Sequence, residues 1–284
     1  MLIKRYWKPA CITATGIVLI LYPFISNWVY DRAVQSEVSA YEVMAEDASD
    51  KEIAAMFAAA RAYNEQVTDL KVTITDPFIE SNEEEADNYY DIFHPDDSGV
   101  MCFVRIPKIN VCLPVYHGTD ASVLEKGAGH IQGTAFPTGD EGIRPVISAH
   151  TGINKAKMFS DLTELEKGDL FILVVQNETF AYEVCDIRVI LPEDISVLTA
   201  EKGRDLVTLM TCTPYGVNTH RLIVTGERTD YEKGMENSIE ANSESSRWMR
   251  AYRRALMIGI VVTAGLLLFQ ILCARIGKKR MGVI

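Results

Sequence analysis

Positive charge is scarce in this chain of 284 residues: 28 Lys and Arg stand against 39 Asp and Glu, a net charge of −11. Phosphate binding needs clustered cations, so nucleic acid is excluded as a partner. Paired cysteines are lacking too. Cys11, Cys102, Cys112, Cys185, Cys212 and Cys273 contain no C-x-x-C spacing. A zinc site of the usual kind is therefore not expected, and neither a metal nor a cofactor is implied. Cys102, Cys112 and Cys185 sit in apolar runs and read as buried free thiols, with a Cys102–Cys112 bridge as the lesser alternative. No internal repeat is visible.

What the chain has in quantity is apolar sequence, 48% of its residues, concentrated at the two ends. Residues 1–31 read as a membrane anchor. Lys4, Arg5 and Lys8 precede a run of about 20 apolar residues flanked by Tyr6, Trp7, Trp28 and Tyr30. An uncleaved anchor is favoured over a signal peptide, although Val38-Ser39-Ala40 resembles a cleavage site. Residues 229–254 form a polar linker, 255–275 a second apolar span and 276–284 a basic tail. The simplest topology holds both termini in the cytoplasm and the middle outside the cell membrane.

Residues 45–98 begin with an amphipathic helix over 49–63, announced by the capping-box pair Ser49 and Glu52. An acidic loop over 69–98 follows, with Glu83, Glu84 and Glu85 in a row; a solvated loop is the reading, a calcium site the weak alternative. Within it Thr75-Asp76-Pro77-Phe78 is a turn whose acid and aromatic project from a stiff backbone. From 99 to 228 the pattern is mainly β: 101–106, 111–116, 146–148, 170–175, 180–190, 207–212 and 222–225 are strands, and 155–165 is a short helix. Many short strands with turn signals predict a barrel or sandwich.

Chemistry gathers at residues 205–228. Two β-type runs flank the turn-forming Pro214, Gly216 and Asn218, so Cys212 leaves one strand where Arg221 enters the next. A thiol beside a fixed positive charge is a candidate nucleophile. It needs an imidazole partner. His94 lies in the acidic loop, His117 and His130 follow strand-like runs, and His220 points away if Arg221 points in. His150, at the end of 146–149, is favoured by its position at a strand end without the others being eliminated.

Thr208-Leu209-Met210-Thr211-Cys212 resembles the TLxTC signature of sortases, cysteine transpeptidases of Gram-positive cell surfaces. The run 211–222 is similar to the class C branch, the pilin polymerases, and further matches lie at 106–109, 113–118, 127–130 and 148–152. Asp76-Pro77-Phe78 fits the class C lid motif. The resemblance spans about residues 45–228 and implies an eight-stranded β-barrel with short helices, an N-terminal helix and lid, and two transmembrane helices. It makes Cys212 the nucleophile, His150 the acid and base, and Arg221 the oxyanion stabiliser, with Thr211 as further oxyanion support and Asp76 and Phe78 as the lid. Its implied partners are pilin subunits bearing LPXTG-like sorting signals, cleaved between Thr and Gly. One departure is Thr151 after the histidine, where the family often has arginine.

Three alternatives remain open on sequence: a sortase that anchors proteins to the cell wall, a hydrolytic cysteine protease, and a surface protein that is itself a sorting substrate. The last is disfavoured because no Leu-Pro-x-Thr-Gly stretch precedes Leu256.

Overall fold

The computed structural model describes residues 3–70, 76, 78, 89–94, 98–151, 156–231, 253–261, 263 and 265. The chain divides into Met1–Ser243 and Glu244–Ile284. In the second unit, 253–261 are helical.

In the first unit, two helices, α1 (Ile3–Asp47) and α2 (Asp50–Leu70), precede a closed barrel. Its strands are β1 (Val100–Ile106), β2 (Val111–His117), β3 (Ala128–His130), β4 (Val146–Ser148), β5 (Leu170–Val175), β6 (Glu178–Ile190), β7 (Leu206–Thr213) and β8 (His220–Thr229). A one-turn helix, α3 (Ala121–Leu124), lies between β2 and β3. Around the barrel the order is β1-β2-β3-β4-β7-β8-β6-β5. All neighbours are antiparallel except β2–β3 and β4–β7. Closure leaves no strand with an unpaired edge, the usual liability of β proteins.

The seven expected strands are all present. The eighth, β3, was not expected: Ala128-Gly129-His130 lacks β-branched residues and is held by pairing with β2 on one side and β4 on the other. The short helix expected over 155–165 does not form. Leu162–Glu164 is a single 3₁₀ turn, and the apolar spacing there reflects Met158, Phe159, Leu162 and Leu165 packing into the core. Cys102, Cys112, Cys185 and Cys212 are free thiols, so the alternative Cys102–Cys112 bridge is absent.

Helix α1 does not stop near residue 31 but continues to Asp47. Val34, Val38, Tyr41 and Ala45 recur at helical spacing on one face and are buried, the first three against Val100, Phe103 and Tyr116 of the barrel. The Tyr41 hydroxyl donates to the Met101 carbonyl and accepts from the Gln176 amide. The expected capping box then starts α2: the Ser49 amide donates to Glu52 Oε2 at 2.9 Å, and the Glu52 amide to Ser49 Oγ at 3.3 Å. Phe57, Ala60 and Tyr63 of α2 join Phe93 and Phe136 in the main core.

Among the described residues, no helix is long and apolar enough to cross a membrane. The two expected transmembrane helices are thus not supported by the described residues, which leave out the side chains of residues 1–14 and most of 255–275. The span at 255–275 lies mostly outside the described residues, as do the acidic run 83–85, most of the linker and the basic tail.

Candidate active site

Strand register brings three distant side chains into one row. In the parallel β4–β7 pair, Val146 lies beside Thr208, Ile147 beside Leu209 and Ser148 beside Met210. The contact persists past the end of β4, where the Ala149 amide donates to the Met210 carbonyl at 3.2 Å. One further step sets His150 level with Cys212. On the other flank, the antiparallel β7–β8 register places Cys212 opposite Arg221. With neighbouring strands about 4.8 Å apart, the row spans about two strand spacings.

Alternation decides which face they share. Ile147, Val207, Leu209, Leu222 and Val224 belong to the main core. Val146, Met210, Ile223 and Ile190 form a second cluster on the opposite face, with Leu198 and Val197 packed on it. Cys212 is two residues beyond Met210, and Arg221 two before Ile223, so both lie on that second face. Strand parity from Val146 through Ser148 carries His150 there as well. His220, paired with Thr213, falls on the other face, as the alternation argument requires.

Asp76 and Phe78 sit on this row. Asp76 Oδ1 accepts a hydrogen bond from Arg221 Nε at 3.1 Å, and Oδ2 lies 2.8 Å from Nη2, an ionic contact not aligned for a hydrogen bond. Each side chain is only 5% exposed. Nη1 donates to the carbonyls of Asn218 and His220, both at 3.1 Å, so every nitrogen of the guanidinium is engaged. The Phe78 amide donates to Asp76 Oδ1 at 3.0 Å, which folds the two residues together. The Phe78 ring then meets two members of the row: Arg221 Cζ lies 5.0 Å from its centroid, and the His150 ring 5.7 Å.

The protonation balance favours neutral groups. Burial pushes the Cys212 thiol up, Arg221 pulls it down, and Asp76 pushes it up again. Burial pushes the His150 imidazole down, while the charge of Glu125 pulls it back. A thiolate–imidazolium pair is therefore disfavoured while Asp76 occupies Arg221.

His117 and His130 are core residues. His130 is fully buried, held by the Tyr89 hydroxyl at Nδ1 and the Ala135 carbonyl at Nε2, and burial pushes it down to about 3. His117 bonds the Ile92 carbonyl through Nε2, and burial pushes it down to about 4. Thr211 lies beside Cys212 on β7. Its hydroxyl donates to the Ala149 carbonyl at 2.7 Å, tying β7 to the backbone that ends in His150.

A sortase-domain family model matches residues 104–229. Sortase D of Bacillus subtilis (strain 168) is 34% identical over 139 residues, covering 48% of this chain and 67% of that protein. The chain belongs to the sortase family. Sortases are cysteine transpeptidases, which accounts for a buried thiol in a row with an imidazole and a guanidinium. Among solved structures, sortase C-1 from Actinomyces oris is 44% identical with a TM-score of 0.60, covering 63% of this chain and 99% of that one. The pilus-related sortase C of Group B Streptococcus is 40% identical with a TM-score of 0.62, covering 68% and 97%. Glu125, at the end of α3, went unmarked in the sequence: an exposed acid after a four-residue helix carries no local signal.

Proposed function

We propose that this chain is a class C sortase that polymerises pilins, with Cys212, His150 and Arg221 as its catalytic residues. The carrying observation is the common row of these three residues together with the Asp76–Arg221 contact laid over it. The Cys212 thiolate attacks the Thr carbonyl carbon of an LPXTG-like sorting signal. Arg221 faces the oxyanion that develops on that carbon. The Thr–Gly C–N bond breaks, the Gly nitrogen takes its proton from the His150 imidazolium, and a thioester remains on Sγ. A lysine amine of another pilin then attacks the thioester, passes its proton to His150 and releases the thiolate. The net change is one amide exchanged for another.

Asp76 and Phe78 act as a lid in this reading. Asp76 claims the guanidinium that the oxyanion needs, and Phe78 fills the space between His150 and Arg221. Val18, Leu19, Ile25, Trp28 and Val29 are exposed along α1, which supports an N-terminal membrane anchor with the barrel outside the cell.

The test is incubation of the full chain with a sorting-signal peptide and a pilin bearing its acceptor lysine. Cross-linked pilin oligomers that vanish in Cys212→Ala are the expected result. Release of free carboxylate alone, without an amide between pilins, overturns polymerisation.

A further inference from the structure

Cys212 has a fixed opposite charge in its own row, Arg221. His150 has none in that row, yet it must carry a positive charge to protonate the leaving amine. This inference rests on that reading of His150 and asks what supports the imidazolium.

The barrel supplies a carboxylate from the other side of β4. Strand β3 runs antiparallel to β4, with His130 beside Ile147 and Gly129 beside Ser148. Extending this register by two residues brings Gly127 alongside His150, with Glu125 on the turn just before it. That turn is fixed. The Glu125 amide donates to the Ala121 carbonyl at 3.0 Å and the Gly127 amide to the Val123 carbonyl at 3.1 Å. A Cβ on Gly127 would lie 2.6 Å from the Pro114 carbonyl oxygen, so β2 holds the turn from beneath. The opposing backbone is equally constrained, since Thr211 holds the Ala149 carbonyl and the Phe159 amide holds that of His150.

We propose that Glu125 is the positioning residue for His150, a carboxylate delivered by the α3–β3 turn that favours and orients the imidazolium. The charged and titratable groups at this end of the barrel agree with that assignment. Cys212 of β7 and Arg221 of β8 lie on the far side of the imidazole in the row, and Asp76 is spent on Arg221. Lys157, on the segment after His150, is paired with Asp161 and bonded to the Ile109 carbonyl. Glu125 is the charge that acts on the ring, against the effect of burial. The two members of the reactive pair are thereby served symmetrically, the thiolate by a cation and the imidazolium by an anion.

The test compares Glu125→Gln and Glu125→Asp with the unaltered full chain. The His150 titration is followed by NMR in a Cys212→Ala background, its resonance identified by its loss in His150→Gln. Glu125→Gln is expected to move the His150 midpoint to lower pH, and Glu125→Asp to restore part of the shift. In chains that keep Cys212, kcat/KM for a sorting-signal peptide should fall about 3- to 5-fold in Glu125→Gln, the size of a partly exposed ion pair. The loss should appear in kcat, and the limb of the pH profile that follows His150 should move the same way. An unchanged His150 midpoint, or a loss confined to KM, overturns the proposal. If the unaltered chain does not turn over the peptide at all, the proposed function fails instead, and the titration still decides the pairing.

Discussion

His130 ends β3 and His150 lies just past the end of the neighbouring β4, yet they have opposite fates. His130 is sealed: its ring is stacked 4.8 Å from Phe136, both nitrogens are bonded, and none of it is exposed. His150 is half-buried, with an aromatic neighbour, Phe78, that lies outside the barrel strands. Burial depresses both imidazoles, but only His150 has a carboxylate acting to restore its charge, while His117 adds to the depression of His130. A histidine that is saturated inside a core stabilises a fold. One held at a strand end, outside the sealed core, keeps its ring available for proton transfer.

The sharpest way to break this comparison is to truncate each ring. His150→Ala is expected to lower transpeptidation about 10²- to 10⁴-fold, as loss of a general acid does, with thermal unfolding changed by less than about 1 kcal/mol. His130→Ala should do the reverse, costing about 3 kcal/mol in denaturant unfolding through a cavity and orphaned partners. Equal stability losses in the two variants would erase the distinction.

Acid sharpens the same contrast. The folded values of His130 and His117 lie near 3 and 4, below the ordinary 6.5 of the unfolded chain. Between those values the unfolded chain binds more protons, so the contribution is complete above pH 6.5 and is lost as the pH falls towards 4 and then 3. Asp205, pushed up by burial to about 6, has the opposite slope between its ordinary 3.8 and 6. Two histidines outweigh one carboxylate, so denaturant midpoints measured from pH 7 to 4 should decline. Replacing His130 should flatten that decline.

The Asp76–Arg221 contact provides a smaller effect confined to the His150 end. Asp76→Ala leaves a guanidinium that costs several kcal/mol to keep dry, so the segment should give way and admit water. Iodoacetamide labelling of Cys212 is expected to quicken, because the Asp76 carboxylate no longer pushes the thiol up and Arg221 is left to pull it down. Protection of the amides around His130 from hydrogen exchange should not change. Smallest is Thr211→Val, which removes the tie to the Ala149 carbonyl: about 1 kcal/mol, read as roughly a fivefold loss of turnover with His130 unaffected.

Much of this was legible from residue pattern. Alternation and turn chemistry located seven strands, the Ser49–Glu52 pair located the start of α2, and parity removed His220 from the site. Other features were invisible for a common reason: they are made by contacts between distant residues. β3 exists because β2 and β4 flank it, and the length of α1 is set by a barrel surface that its own sequence does not contain. The row of His150, Cys212 and Arg221 needed the β4–β7 register, which a single sequence read for local pattern does not disclose. The proposed catalytic residues, together with Asp76 and Phe78, emerged from motif resemblance, and the β4–β7 and β7–β8 registers bring His150, Cys212 and Arg221 into one row.

The parallel β4–β7 pairing has one more consequence. Because side chains alternate strictly, a slip of β7 by one residue would turn Cys212 inward and present Thr211 or Thr213, a hydroxyl where the thiol belongs. The same slip would drive Met210 into the main core and carry Leu209 into the second cluster. The packing that fixes the register of β7 therefore also fixes which of Thr211, Cys212 and Thr213 stands beside Arg221.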